Sequence, residues 1–427
     1  MPRACVIGGG FSGLACALRL LEKGFSVSVY ESSSQLGGLA LSFQKDGQRI
    51  HGCYHQILST DETLLRVLHE LKLYDRVSWL NASIYFYYDT TFYNFKNPFD
   101  LLRFPFTFFE KLSFAKFMVS CFLKKDWSRE EHIDAFSWLS HKASAGIVEK
   151  LFDPLVRIKF GLTTRDVSAA WIGSRLASRE GSSSFGYMRG TDWTYEVISA
   201  LRDKILSLGG EIYCDSPVSL IEEKNGKVTS VHFVSGKKVV SDIVVSTLAP
   251  PLLCRLCPSL ASSLAHIDYI GSLSLIVGVD SLPLSWKDDC YWSIYLHPER
   301  SFGGLFNLTK LNPQLGGSSQ KYILNFFTNV EPFSEAYNVD EEVLCERYQH
   351  DIKSIFGEPL VISWKKLFRI PYVSAKYRQG YVNPPVRTSV SGLYLAGNYR
   401  SYPSVTSTGT AFKTGEEAAE AIVHDYS

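Results

Sequence analysis

No apolar run in the 427-residue chain approaches the roughly 18 residues of a spanning helix. There is no excess of either charge. The formal net charge is +1, and without a strong overall field nothing recruits nucleic acid or an acidic partner. The start, MPRACVIGGG, lacks the basic flank and apolar stretch of a secretory leader. The nine cysteines are scattered rather than framed for disulfides, which reads as reduced thiols and a cytoplasmic location. Cys254-Arg-Leu-Cys257 has no second CxxC to complete a metal shell, so no metal is expected and the pair reads as apolar thiols in a short helix. A G-x-S-x-G elbow is absent, as is a second dinucleotide fingerprint of the kind a separate NADPH domain would carry.

What is present is a large core and glycine turns. At 45% hydrophobic and 20% charged residues the composition is that of a globular protein. The length exceeds one ordinary domain and suggests two, interleaved. The stretch from Cys5 to Gly38 reads CVIGGGFSGLACALRLLEKGFSVSVYESSSQLGG. Ala4 to Ile7 form a short apolar run of the buried parallel type. Gly8, Gly10 and Gly13 follow in G-x-G-x-x-G spacing, then Leu14, Leu18 and Leu21 recur with helical period. Gly24 stands where a helix ends, and Phe25 to Tyr30 lead to Glu31.

Each part has a mechanical reason. Gly8 makes the tight turn, Gly10 lets a pyrophosphate approach the backbone, and Gly13 lets the helix lie close on the strand. Phe11 and Ser12 open a helix whose free N–H groups face the phosphates, and Glu31, with Ser32 beside it, meets a ribose diol.

This unit serves NAD and FAD alike. Two features select FAD. Gly37-Gly38, followed by Leu39, make a second glycine turn that simple dehydrogenases usually lack. Near the C-terminus, Gly392-Leu-Tyr-Leu-Ala-Gly-Asn-Tyr precedes Ser407-Thr-Gly-Thr-Ala. Leu393 to Ala396 read as a buried strand with Gly397 and Asn398 at its end. Thr408, Gly409 and Ala411 start a helix with small residues, whose N-terminus suits the negative charge a flavin gains on reduction.

In this order GGGFSG, ESSSQLGG, GLYLAGN and STGTA resemble the flavin amine oxidases, protoporphyrinogen oxidases and phytoene-type desaturases. The resemblance implies an α/β fold: a glutathione reductase-type FAD-binding Rossmann domain interleaved with an α+β substrate domain. The FAD domain would use residues 1–80, 186–270 and 385–427, and the substrate domain 81–185 and 271–384. It further implies that Val218 touches the adenine, that Thr247 in Val244-Val-Ser-Thr-Leu-Ala-Pro lies at the cofactor, and that the segment from Gly47 to Gln56 passes the ring. Leu39 stands where arginine often follows the glycine pair, and Asn398 where an acid is usual.

His55, and less so His51, would then be placed to take a proton. Tyr372 and Tyr377 resemble aromatics flanking the flavin in amine oxidases, or are plain core. Arg189, before the Gly190 turn, meets an anionic substrate or the cofactor, or forms a surface ion pair. The expected activity is removal of a hydride from a C–N or C–C bond of an apolar or ring-bearing small molecule, with oxygen, a quinone or another acceptor re-oxidising the flavin. Two rivals stand: a redox-neutral sugar mutase resembling UDP-galactopyranose mutase, and a non-catalytic flavin-binding protein.

Elsewhere, Leu201 to Tyr213 read as helix, turn and parallel strand, and Val218 to Val240 as a ribbon turning at Asn225-Gly226. Leu273 to Val279 and Tyr322 to Asn329 read as strands of the substrate domain. Ile84 to Trp127 is dense in aromatics, with Lys111, Lys116, Lys124 and Lys125 among them. It reads as core and lid, as the lining of an apolar pocket, or as a peripheral membrane contact.

Overall fold

Apolar side chains with both faces covered make Arg3–Ile7 a central strand, β1. The computed structural model describes residues 2–94, 100, 102–178, 184–297, 299–317 and 321–427. β1 pairs in parallel with β2 (Ser26–Tyr30) on one side and with β4 (Ile243–Ser246) on the other. β3 (Glu211–Tyr213) extends the sheet beyond β2, and β5 (Leu393–Leu395) beyond β4. The order is β3-β2-β1-β4-β5, all parallel. The strands read at Ala4, Phe25, Glu211 and Leu393 therefore share one sheet, the α/β arrangement expected.

Helix α1 (Phe11–Glu22) follows β1, α2 (Trp193–Ser207) precedes β3, and α3 (Thr408–Tyr426) follows β5. Small residues set how closely these layers approach. A Cβ on Gly13 would lie 2.0 Å from the Gly8 carbonyl oxygen, and one on Gly415 2.1 Å from that of Ser12. α1 thus rests directly on the β1 turn and α3 directly on α1.

A second sheet has seven strands. Their order is Ile362–Ala375, Tyr269–Val279, Tyr322–Val330, Gly304–Asn307, Cys290–Tyr295, Ser83–Tyr88 and Thr91–Asn94. Neighbours are antiparallel except Cys290–Tyr295 with Ser83–Tyr88. Tyr269–Val279 is buried along its whole length. The ribbon Val218–Lys224 and Lys227–Phe233 turns at Asn225 (φ +53°) and Gly226 (φ +71°), the left-handed pair that an Asn-Gly hairpin demands.

The aromatic stretch from Ile84 to Trp127 divides. Phe104, Phe106, Phe114 and Phe117 are core, packed with Trp138 and Phe152. The helix Phe108–Leu123 carries a second set, including Phe108, Phe109 and Leu123, on its exposed side. Residues 95–99 and 101 of the stretch lie outside the described residues. Cys257 is buried and Cys254 half-buried at the helix Pro250–Leu256. Among the described residues no helix is long and apolar enough to cross a membrane, and no cluster of three metal-ligating side chains occurs.

Candidate active site

The two glycine turns meet. The Gly37 amide donates to the Gly9 carbonyl at 3.0 Å, and Gly10 and Gly37 form a parallel bridge. The chain's far end joins them: Ser12 Oγ lies 3.2 Å from Thr414 Oγ1, the Gly397 amide donates to that same hydroxyl at 3.1 Å, and Phe11 packs on Phe412 at 5.2 Å.

The three fingerprint glycines differ in what requires them. Gly8 (φ +105°) has Thr247 Oγ1 2.2 Å from a hypothetical Cβ, and Gly13 has backbone at 2.0 Å, so packing accounts for both. Gly10 has nothing nearer than 3.8 Å and an ordinary φ of −81°. Neither packing nor backbone strain accounts for it. A bare backbone at a helix start with no side-chain cap, where a Cβ would meet the Gly37–Gly38 turn only at ordinary contact distance, fits a dinucleotide pyrophosphate.

Glu31 is buried at the end of β2. Its Oε2 accepts from the Gly9 amide at 2.8 Å, and its Oε1 accepts from the Ser33 amide at 2.9 Å and the hydroxyls of Ser33 (2.6 Å) and Ser32 (3.1 Å). The carboxylate is thereby fixed beside the glycine turn. Thr247 is tied by its hydroxyl to the Ile7 carbonyl at 2.9 Å. Val218 opens the ribbon opposite Phe233, which packs on Tyr30 at 4.6 Å. Gly38 and Leu39 begin a short 3-10 turn, Gly38 exposed and Leu39 half-buried. Asn398 is half-buried, and its carbonyl accepts from Tyr377 Oη at 3.0 Å. Thr408 is buried and Ala411 half-buried in the first turn of α3.

The N-terminus of α3 differs from the expectation of free amides. Ser407 and Thr410 form a reciprocal cap. The Asp61 carboxylate accepts from the Gly409 amide at 3.2 Å and from Ser407 Oγ at 3.0 Å. The same residue caps the helix Glu62–Glu70 through the Leu64 amide at 3.1 Å. Sequence reasoning missed Asp61. Ser-Thr-Asp before an apolar-periodic run signals a helix cap, but nothing local signals a partner 346 positions away.

His51 and His55 lie where the chain crosses from one sheet toward the other. Ile57 pairs with Gly186, and the Trp193 indole donates to the His55 carbonyl at 3.3 Å. Between the two histidines, Tyr54 stacks on Phe306 (4.3 Å) and packs on Phe327 (5.1 Å), both from the seven-stranded sheet. His55 Nδ1 lies 2.9 Å from the Cys53 carbonyl oxygen. A carbonyl only accepts, so Nδ1 carries the proton and Nε2 presents a lone pair. Burial holds His55 below the ordinary histidine pKa. His51 is 7% exposed, and burial pushes it down to about 3, with the neighbouring His55 adding to the effect. It is neutral, and its Nε2 has no protein partner among the described residues.

Asp192 lies 4.0 Å from His51 Nδ1, too far for a hydrogen bond. It caps α2 through the Thr194 amide at 2.9 Å and hydroxyl at 2.8 Å, and burial raises it to about 7.

Three candidates remain. Tyr372 is half-buried, edge-on to Tyr269 at 5.6 Å and Phe333 at 6.0 Å. Tyr377 is fully buried among Phe160, Tyr381 and Tyr402, its hydroxyl engaged with Asn398 and Ser401. Arg189 is exposed beside Gly190.

Comparison with known proteins agrees with this geometry. Residues 11–423 match the family described as flavin containing amine oxidoreductase. The chain is 22% identical to 15-cis-phytoene desaturase, chloroplastic/chromoplastic, of Arabidopsis thaliana over 99% of its own length and 80% of the relative's. Among solved structures, wild-type putrescine oxidase bound to putrescine superposes with a TM-score of 0.71 at 14% identity, covering 99% of each chain. Reduced UDP-galactopyranose mutase gives 0.77 at 16% identity, covering all of this chain and 96% of that one. At such identities the structures speak for the fold alone. A fold that gathers its glycine turns around a helix start with no side-chain cap, and a family match over nearly the whole chain, lead to one conclusion: this protein belongs to the flavin containing amine oxidoreductase family and is an FAD-dependent oxidoreductase.

Proposed function

We propose that the protein dehydrogenates a C–C bond of a long apolar or ring-bearing small molecule, passing the electrons to oxygen, a quinone or another acceptor. Gly8, Gly10, Gly13, Glu31 and Ser32 hold the dinucleotide end of FAD, Val218 and Thr247 flank it, and Gly397, Asn398, Thr408, Gly409 and Ala411 hold the ring end. FAD supplies the hydride acceptor when bound. The chain's own task is to orient substrate, exclude water and take the proton. His55 does the last: Nδ1–H is committed to the Cys53 carbonyl, which leaves Nε2 as the base. Tyr54, half-buried and packed on the buried Phe306 and Phe327, keeps water from this segment.

The observation that carries this reading is the fixed tautomer of His55 beside that aromatic wall. The packing of Tyr377 favours C–C over C–N chemistry. A fully buried ring with an engaged hydroxyl has no open face for an amine. The Arabidopsis thaliana relative, by name, acts on phytoene, a substrate of the apolar kind proposed.

The test is anaerobic mixing of the yellow holoprotein with a polyene hydrocarbon, a primary amine or a UDP-sugar. Bleaching by the hydrocarbon alone is expected. His55→Gln should slow bleaching by about 100-fold or more with FAD still bound. Because burial lowers the His55 pKa, wild-type rates should hold as pH falls through the ordinary histidine value of about 6.5 and fail only below it. Bleaching by amines alone would move the reaction to C–N bonds. Isomerisation of a UDP-sugar appearing only after chemical reduction would replace the oxidoreductase cycle with a redox-neutral one.

A further inference from the structure

The helix Phe108–Leu123 is apolar on both of its faces. Phe114, Phe117 and Cys121 point inward and are buried. At 100° per residue, Phe108, Leu112, Val119 and Leu123 fall within one narrow stripe on the opposite side, with Phe109 and Phe122 at its margins. All six are exposed, Phe108 at 76%, Phe109 at 80% and Leu123 at 78%. Leu102, also exposed, precedes the helix. Sixteen residues give a stripe about 24 Å long. An apolar surface of this extent on a water-facing helix marks an interaction site.

The charges around it select the partner. Lys116 is exposed on the stripe itself, Lys125 is exposed just past its end, and Arg103 and Arg129 are exposed on either side. Of the nearby acids, two pair with lysines and Asp126 keeps its charge near Lys124 and Arg129. Glu110 closes the helix cap with Thr107 and pairs with Lys150 at 3.2 Å, and Glu130 pairs with Lys124. Asp126 is tied to Ser128. Large apolar side chains with flexible, unneutralised cations among them match an acyl layer beneath anionic headgroups, since lysine stems reach out of the apolar layer to the charged one.

We propose that this helix lies in the surface of an anionic lipid bilayer, with Phe108, Phe109, Leu112, Val119 and Leu123 seated among the acyl chains. The proposal is independent of the reaction. It makes the protein peripheral, attached along one helix that stays folded against the core.

The test is co-sedimentation of the FAD-loaded protein with vesicles of phosphatidylcholine, with and without phosphatidylglycerol. Binding is expected to be at least about ten-fold stronger with phosphatidylglycerol and to weaken with added salt. Phe109→Ser with Leu112→Ser should abolish it. Lys116→Glu with Lys125→Glu should remove the preference for anionic lipid. Leu284→Ser, an exposed apolar residue outside this helix, should change nothing. FAD loading of each variant verifies its fold. Failure to sediment with either vesicle overturns the proposal, as does sedimentation that survives the serine pair. Self-association abolished by the serine pair, without vesicle binding, would assign the stripe to a second copy of the chain.

Discussion

Two helix starts lie close together in this molecule, and they are prepared differently. α1 begins at Gly10 with no side-chain cap, and nothing stands nearer than 3.8 Å to a Cβ at that glycine. α3 begins with a reciprocal Ser407–Thr410 cap and the Asp61 carboxylate at its Gly409 amide. Both carry the same partial positive charge from aligned peptides. At α1 that charge is left for a ligand; at α3 the protein's own carboxylate has answered part of it. A G-x-G-x-x-G turn therefore marks an anion site only where the structure leaves it bare. The same comparison separates Gly10 from Gly13: one keeps space for a ligand, the other keeps two backbone layers in contact.

Substitutions can break that distinction in order of expected size. Gly10→Val should lower FAD affinity by about 100-fold or more and cost less stability than a change at Gly13, since its backbone is unstrained and a Cβ would stand 3.8 Å from Gly37 and Gly38, ordinary contact. Gly13→Ala should cost about 2–3 kcal/mol of stability, because its Cβ meets the Gly8 carbonyl. FAD titration and urea unfolding of both variants check the pair; if each loses both properties equally, the two glycines are not different in kind. Glu31→Gln comes next. One of its oxygens becomes a donor facing the Gly9 or Ser33 amide, so about 1–3 kcal/mol of stability should be lost, read by urea unfolding.

A smaller effect concerns His51 and Asp192, which respond to pH with opposite signs. His51, at about 3, binds its proton less readily when folded, so it makes stability rise with pH up to the ordinary 6.5. Asp192, at about 7, holds its proton when folded, so it makes stability fall as pH rises from the ordinary 3.8. Between 3.8 and 6.5 the two contributions oppose one another. Urea unfolding across this window should show stability falling more steeply with rising pH in His51→Gln than in wild type, and rising in Asp192→Asn relative to wild type. Slopes that do not move in opposite directions would show that one of the two is not buried as described.

The smallest effect returns to α3. Asp61→Asn keeps the cap on Leu64 but removes the charge at Gly409. A charge at a helix end is worth roughly 0.3–1 kcal/mol, so the flavin midpoint potential should rise by about 6–20 mV, measured by dye equilibration. An unchanged potential would place the flavin ring away from this helix end.

The strand-turn-helix-strand unit was legible in the sequence because local sterics demand each piece: a Cβ has no room at Gly8 or Gly13, and Asn225-Gly226 can hardly be anything but a left-handed turn. The start of α3 was legible at Thr408 and Gly409 from the small residues that follow along the helix. Gly10 was legible only through its spacing, since no protein contact enforces it. What long-range packing decides was hidden. Tyr54 looks like any aromatic until Phe306 and Phe327 arrive from another sheet, and Asp61 looks like any helix cap. The stretch from Ile84 to Trp127 left three readings open because aromatics occupy both faces of its helix, which erases the periodicity that tells inside from outside.

The central claim is that one FAD lies across the closed glycine turns, from Val218 to the start of α3. A crystal structure with FAD tests it directly. The account predicts pyrophosphate against the Gly10 backbone and the isoalloxazine ring between Thr408 and the His55 segment. A ring lying outside the space between these two, or a pyrophosphate held anywhere but over Gly10, would contradict it.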